Sequence, residues 1–194
     1  MGFIDDRKNL KPNFKFVILS ILILTLLLFD KELNLDHLRF SFYQTGFFLG
    51  NFGIFFSIFC FLVFMNAFNM FDGINLQSSS YALFVFCNFL IFFSDTLIIK
   101  ILIIALMFFI FLNITNRSFL GDSGTLLLAF VISYFFIKMY NMGYINYADN
   151  IILYMLIPGL DLIRLFILRI IEKRNPLSSD RMHIHHLLSK KYTQ

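Results

Sequence analysis

Runs such as FKFVILSILILTLLLF (residues 14–29) and IILYMLIPGLDLIRLFIL (151–168) are apolar on consecutive positions, with hardly a polar break. At a rise of about 1.5 Å per helical residue, such runs match a hydrocarbon layer of about 30 Å. A membrane β-barrel would alternate apolar and polar residues, which these runs do not. Reading for further runs of this kind gives six expected spans, at 14–29, 47–65, 80–94, 97–113, 125–141 and 150–168. Composition agrees: 59% of residues are hydrophobic, 14% are charged, 29 are Phe and none is Trp. With a mean hydropathy of +0.78 this lies outside the range of soluble domains. The expected fold is an all-α, polytopic helical membrane protein.

Other classes are disfavoured. No cleavable signal peptide is expected, because the first residues, MGFIDDRKNLKPN, are charged and no small-residue cleavage pattern follows the first apolar run. Cys60 and Cys87 sit in apolar runs without partner spacing, as packing residues do. The net charge of +4 flanks the spans instead of forming an aromatic-interleaved patch, so no nucleic-acid partner is expected.

If the spans alternate, residues 1–13, 66–79, 114–124 and 169–194 share one side. Counting span ends, that side collects twelve of the sixteen Lys and Arg residues, and only Lys31, Arg39, Lys100 and Lys138 fall opposite. The positive-inside rule makes the richer side cytoplasmic, in a multi-pass inner (plasma) membrane protein. All the chemically loaded stretches, GFIDDRKNL, NAFNMFDGINLQ, NRSFLGDSG and SSDRMHIHHLLSKK, fall on that side.

Each stretch has a functional reading and a plainer one. Asp5 and Asp6, with Lys15 at the first span, can bind a cation, act as a base or hold phosphate, or can simply mark a helix end. Asn69 and Asp72 are three apart and share one side of a helical turn, Gly73 lets the chain leave the helix, and Asn75 follows. Amide edges suit a base such as uracil and the oxygens suit Mg2+, whereas helix capping accounts for one or two of these groups but hardly four within ten positions. Asp122, bracketed by Gly121 and Gly124 just before the span expected near Thr125, would sit near phosphates only with a cation beside it. Arg181, His183, His185 and His186 fit anion or sugar recognition. Zinc binding and a solvated basic tail are the competing readings. Asp161 and Arg164, at i and i+3 in the last span, are read first as a paired structural support and second as a ligand contact, and Pro158 should kink or start that helix.

Taken in order, GFIDDRKNL, NAFNMFDGIN, FLGDSG and PLSSDRMHIHH resemble the four motifs of the polyprenyl-phosphate N-acetylhexosamine-1-phosphate transferase family, across essentially the whole chain. The resemblance implies transfer of N-acetylhexosamine 1-phosphate from a UDP-N-acetylhexosamine to a polyprenyl phosphate, giving polyprenyl diphosphate-sugar and UMP, the first membrane step of a cell-surface polymer. It implies Mg2+, with Mn2+ as the substitute, held by Asp122 and Asn69 with Asp72 beside them, and Lys15 on the diphosphate. Asp5 and Asp6 fall near the attacking lipid phosphate, Asn75 and Phe119 at the uracil, and Arg181, His183, His185 and His186 in a loop closing over the sugar. The histidine stretch is closer to the O-antigen, enterobacterial-antigen or teichoic-acid-linkage branch than to the peptidoglycan branch. Two departures stand out: Asn75–Leu76 replaces a second Asp-Gly, and Met1 falls almost on the aspartate pair, where the family has several earlier spans. Residues 1–194 are therefore expected to be one catalytic-type transmembrane domain lacking the amino-terminal helices, with 169–194 as a cytoplasmic loop and tail. The alternative is an inactive or split carboxy-terminal piece acting as a membrane assembly partner. A homodimer or a missing amino-terminal half are the candidate protein partners.

Overall fold

The computed structural model describes residues 2, 12–93, 96–171 and 173. Asp5, Asp6, Arg181, His183, His185 and His186 lie outside the described residues. The chain is helical, as expected. Its helices are α1 (Pro12–Phe29), α2 (Gly53–Phe71), α3 (Gln77–Phe92), α4 (Leu97–Ile114), α5 (Gly121–Asn141), α6 (Ala148–Tyr154) and α7 (Leu156–Ile171).

Each of the six expected apolar runs contains helix. By length and apolarity, however, three stretches suffice to cross a bilayer among the described residues: Gly50–Phe71, Leu97–Ile114 and Gly121–Asn141. The pair Ala148–Tyr154 and Leu156–Ile171, bent by 75°, makes a fourth if taken as one broken span. Asn13–Phe29 and Gln77–Phe92 are apolar but shorter. Pro158 explains the break. It lies in the first turn of α7, where its missing N–H costs nothing, and could not have continued α6 without losing a bond and clashing one turn back.

The expected span at 47–65 starts later than its apolarity suggested. Residues His37–Phe40 (β1) and Tyr43–Phe48 (β2) instead form an antiparallel hairpin, with His37 opposite Phe48 and Leu38 opposite Phe47. Aromatic and Thr side chains favour a pleated surface, and Gly46 takes a φ of +64° where the register shifts. α2 then begins at Gly53, whose bare Cα the Leu35 carbonyl approaches so closely that an added Cβ would lie 2.6 Å from its oxygen.

The core lies between α2 and α5, which pack directly on one another, with α1 and α7 against α2 and α3 against α5. Phe61, Phe68, Phe86, Phe89 and Phe136 are fully buried there, and Ala82 and Ala129 let the helices approach. Two of the Ser side chains inside the helices bond to the preceding turn: Ser20 donates to the Phe16 carbonyl at 2.7 Å and Ser133 to that of Ala129 at 2.7 Å. α4 packs on α3 and turns most of its surface outward, through Ile98, Ile101, Phe108 and Phe111. Cys60 and Cys87 are both free thiols.

Candidate active site at the start of α5

α1 and α5 run in the same direction, both opposite to α2, so the start of α1, the end of α2 and the start of α5 meet at one end of the bundle. Lys15 on α1 reaches Asp122 on α5, with Nζ 3.1 Å from Oδ2. Asp122 lies in the first turn of α5, not in the loop before a span beginning near Thr125 as the sequence suggested. The chain enters that turn through Gly121, at a φ of +62°, and the acid faces the positive end of the helix dipole. Gly2 packs against the same turn, and a Cβ there would lie 2.4 Å from the Ser123 Cα.

Thr125, one turn further along, is buried and ties α2 to α5. Its hydroxyl has the Gly121 carbonyl at 2.9 Å, the Asp122 carbonyl at 3.3 Å and Asn69 Oδ1 within reach. Asn69 is thereby fixed on the last turn of α2, facing the start of α5. Sequence reasoning passed over Thr125, whose only signal is its place directly after Gly-Asp-Ser-Gly.

Asp72 caps α2 one residue beyond its end. Burial pushes its carboxyl above the ordinary Asp range, the neighbouring Ser78 hydroxyl draws it partly back, and the negative charge of Asp122 raises it again. The Ser78 hydroxyl lies beside the carboxylate without the geometry of a full hydrogen bond. Asp122, Asp72 and the Lys15 ammonium lie together at this end. Asp122, Asp72 and the Asn69 amide supply hard oxygen donors, which suit Mg2+ better than a metal that favours sulfur or imidazole. Among the described residues there is no group of three or more His, Cys, Asp or Glu side chains placed to hold a metal.

The chain leaves the helix at Asp72 and Gly73 and turns back at Leu76, which is left-handed, with a φ of 75°. That conformation is costly for a branched residue. It is held by Asn113 at the end of α4, whose Oδ1 accepts from the Leu76 N–H at 2.7 Å while its Nδ2 donates to the Ser118 carbonyl at 2.7 Å. Asn113 is a second residue that sequence reasoning missed, and a buried Asn closing an apolar run was its signal. Asn75 donates to the Asn116 side chain. Asn75, Asp72, Phe109, Asn113 and Phe119 line a pocket of about 160 Å³, with Phe119 largely exposed at its edge. The structure thus brings together Lys15, Asn69, Asp72, Asn75, Phe119 and Asp122. Asp161 pairs with Arg164 at 2.8 Å and is buried on α7, in agreement with its reading as a structural support.

An apolar groove of about 620 Å³ runs between α1 and α5, lined by Leu19, Ile23, Leu26, Met65, Leu126 and Phe130, and reaches Gly2 and Ser123 at the site end.

Residues 1–140 match glycosyl transferase family 4. Among similar proteins is the undecaprenyl-phosphate alpha-N-acetylglucosaminyl 1-phosphate transferase of Escherichia coli K12, 27% identical over 98% of this chain and 55% of the relative. The protein of the same name from Thermotoga maritima is 30% identical over 70% of this chain and 43% of its own length. That from Yersinia pestis is 26% identical over 98% of this chain and 55% of its own. The chain spans about half the length of the curated relatives it matches. No solved structure matches it. The motifs in family order, the placing of Asn69 and Asp122 from two of them at the start of α5 and the match over most of the chain give one answer: the chain belongs to glycosyl transferase family 4.

Proposed function

We propose that the protein transfers N-acetylhexosamine 1-phosphate from a UDP-sugar to a polyprenyl phosphate anchored in the bilayer. An oxygen of the lipid phosphate attacks the β-phosphorus of the donor. The bond from that phosphorus to the oxygen bridging the two phosphates breaks, and the bridging oxygen departs with UMP, leaving polyprenyl diphosphate-sugar. Such transfer depends mainly on positioning and charge stabilisation, which this end of the bundle is equipped to supply.

The observation that carries the reading is the convergence at the start of α5 of Lys15 with Asp122 and of Asn69 with Thr125, next to a pocket lined by Asp72, Asn75 and Phe119. Lys15 exchanges its carboxylate partner for the diphosphate and offsets its charge. Asp122 and Asn69, with Asp72 beside them, would hold Mg2+ or its substitute Mn2+, which when bound neutralises diphosphate charge. Asn75 hydrogen-bonds the uracil edge and Phe119 stacks on its face. The groove between α1 and α5 opens at Ser123, beside Asp122, and suits the prenyl chain of the acceptor. A phosphate monoester has a second pKa of about 6 and is largely dianionic at neutral pH, so Asp5 or Asp6 orients the nucleophile instead of deprotonating it. Arg181, His183, His185 and His186 close over the sugar and diphosphate. The site faces the cytoplasm, a reading supported by the twelve Lys and Arg residues on its side.

Membranes containing the protein, incubated with labelled UDP-N-acetylglucosamine and undecaprenyl phosphate, test this directly. The expected outcome is labelled lipid and free UMP in equal amounts, dependent on Mg2+. Absence of labelled lipid with every UDP-N-acetylhexosamine tried would remove the proposal.

A further inference from the structure

The end of the bundle away from the site carries a feature that the transfer reaction does not use. The β1–β2 hairpin joins the end of α1 to the start of α2, and among the described residues its hydrogen bonds to the helices come from one face. The Arg39 N–H donates to the Tyr140 hydroxyl at 2.6 Å, the same hydroxyl donates to the His37 carbonyl at 3.1 Å, and the Arg39 guanidinium lies 5.3 Å from the centre of the Tyr140 ring. At the tip, the Ser41 N–H donates to Asp149 at 2.9 Å. This inner side opens on a polar cavity of about 550 Å³ lined by Asp36, His37, Arg39, Thr45 and Asn141 among others.

The other side is aromatic. Phe47 stacks on Tyr43 at 4.8 Å and meets Phe40 at 6.1 Å, and Phe40 stacks on Phe42 at 5.3 Å. These rings pack on one another yet stay open outward, with Phe42 79%, Phe47 49% and Tyr43 43% exposed. In water an unpartnered cluster of four rings would be an association hazard. Its position argues for another surrounding: Phe29 at the end of α1 and Phe52 and Phe55 at the start of α2 are also outward-facing, so the cluster continues the apolar surface of two membrane helices. Rings concentrated where helices leave the hydrocarbon, backed by charged and polar groups, are the composition of the bilayer interface.

We propose that the β1–β2 hairpin is an interfacial anchor, lying in the headgroup layer of the leaflet away from the site with Phe40, Phe42, Tyr43 and Phe47 at the acyl boundary. The inference rests on α1 and α2 being membrane helices and is independent of the transferase reading. It has a consequence for depth. α1 has 18 residues, about 27 Å of helix, shorter than the hydrocarbon it adjoins. An anchor at its far end fixes how deep Lys15 sits at the near end.

The chain has no Trp, so a single introduced Trp reports alone. Phe42→Trp and Phe47→Trp replace ring by ring at exposed positions, and Thr45→Trp places the probe on the polar side. Each full-length variant is reconstituted in phosphatidylethanolamine–phosphatidylglycerol vesicles, with or without phospholipid brominated high on its acyl chains. The expected result is that bromolipid reduces the emission of the Phe42→Trp and Phe47→Trp proteins about twofold or more, while acrylamide mainly quenches the Thr45→Trp protein. Acrylamide quenching of all three without a bromolipid effect would overturn the proposal in favour of a hairpin in water. Blue-shifted emission at Phe42→Trp and Phe47→Trp without bromolipid quenching would overturn it in favour of a second copy or another polypeptide covering the rings.

Discussion

The two ends of α5 carry mirrored ion pairs with different consequences. At the start, an acid on α5, Asp122, meets a base on α1, Lys15. At the far end, a base on α5, Lys138, meets acids that follow α1: Glu32 at 3.0 Å and Asp30 at 3.5 Å. The far-end acids are bonded within the chain, beside the polar cavity that Glu32 and Asn141 also line. The Tyr134 hydroxyl donates to Asp30 at 3.2 Å, and Asn141 donates to the Glu32 and Asn34 carbonyls at 2.6 and 3.0 Å. The near end instead gathers a second carboxylate, Asp72, whose pKa burial and Asp122 push up. Acids tied directly to Lys138 and Tyr134 make a staple, whereas a buried Asp72 near Asp122, lining a pocket at a helix start, makes a place for a ligand that brings positive charge.

The largest test of this contrast is Asp122→Asn. It should lower sugar-phosphate transfer by about 100- to 1,000-fold, the range for removing a group that organises charge in the transition state. Labelled lipid produced per folded molecule measures it, and the thermal midpoint should change little. Gly2→Ala comes next. Its Cβ would fall 2.4 Å from the Ser123 Cα, and overpacking of that kind costs about 1–3 kcal/mol. Transfer should therefore drop and the thermal midpoint fall by a few degrees, which an activity assay paired with thermal unfolding in detergent measures.

Lys138→Met reverses the pattern. The staple should lose about 1–2 kcal/mol of stability, as expected for a half-buried network, with transfer per folded molecule retained. The smallest effect belongs to Asp72→Asn without divalent cation. A carboxyl raised in the folded state is harder to ionise there than in the unfolded chain, so stability is lost as pH climbs from the ordinary Asp range through the raised value. Asn should therefore raise the thermal midpoint modestly at neutral pH and leave it unchanged in acid below that range. A midpoint that falls at neutral pH would show that Asp72 is stabilising there.

Much of this was legible in the sequence, for physical reasons. Consecutive apolarity marks membrane helices whatever their neighbours, and Pro158 marks the break before α7 because a ring without an N–H cannot be hidden inside a helix. Alternating spans put Asn69, Asp72, Asn75 and Asp122 on one side, and the family resemblance implied that they gather. The remainder depends on partners far away in the chain. The left-handed Leu76 is set by Asn113, 37 residues on, and no local residue type announces it. Thr125 matters because Asn69 faces it across two helices. The hairpin was hidden because Phe47 and Phe48 extend the apolar run of α2, so hydropathy joined a strand to a helix that begins only at Gly53.

The most direct measurement is Mn2+ binding, followed by electron paramagnetic resonance on purified protein with UDP-N-acetylglucosamine present. A divalent ion held at the start of α5 requires a bound-Mn2+ signal that is lost in Asp122→Asn and kept in Lys138→Met. An undiminished signal in Asp122→Asn would contradict the placement of the site at that end of the helix.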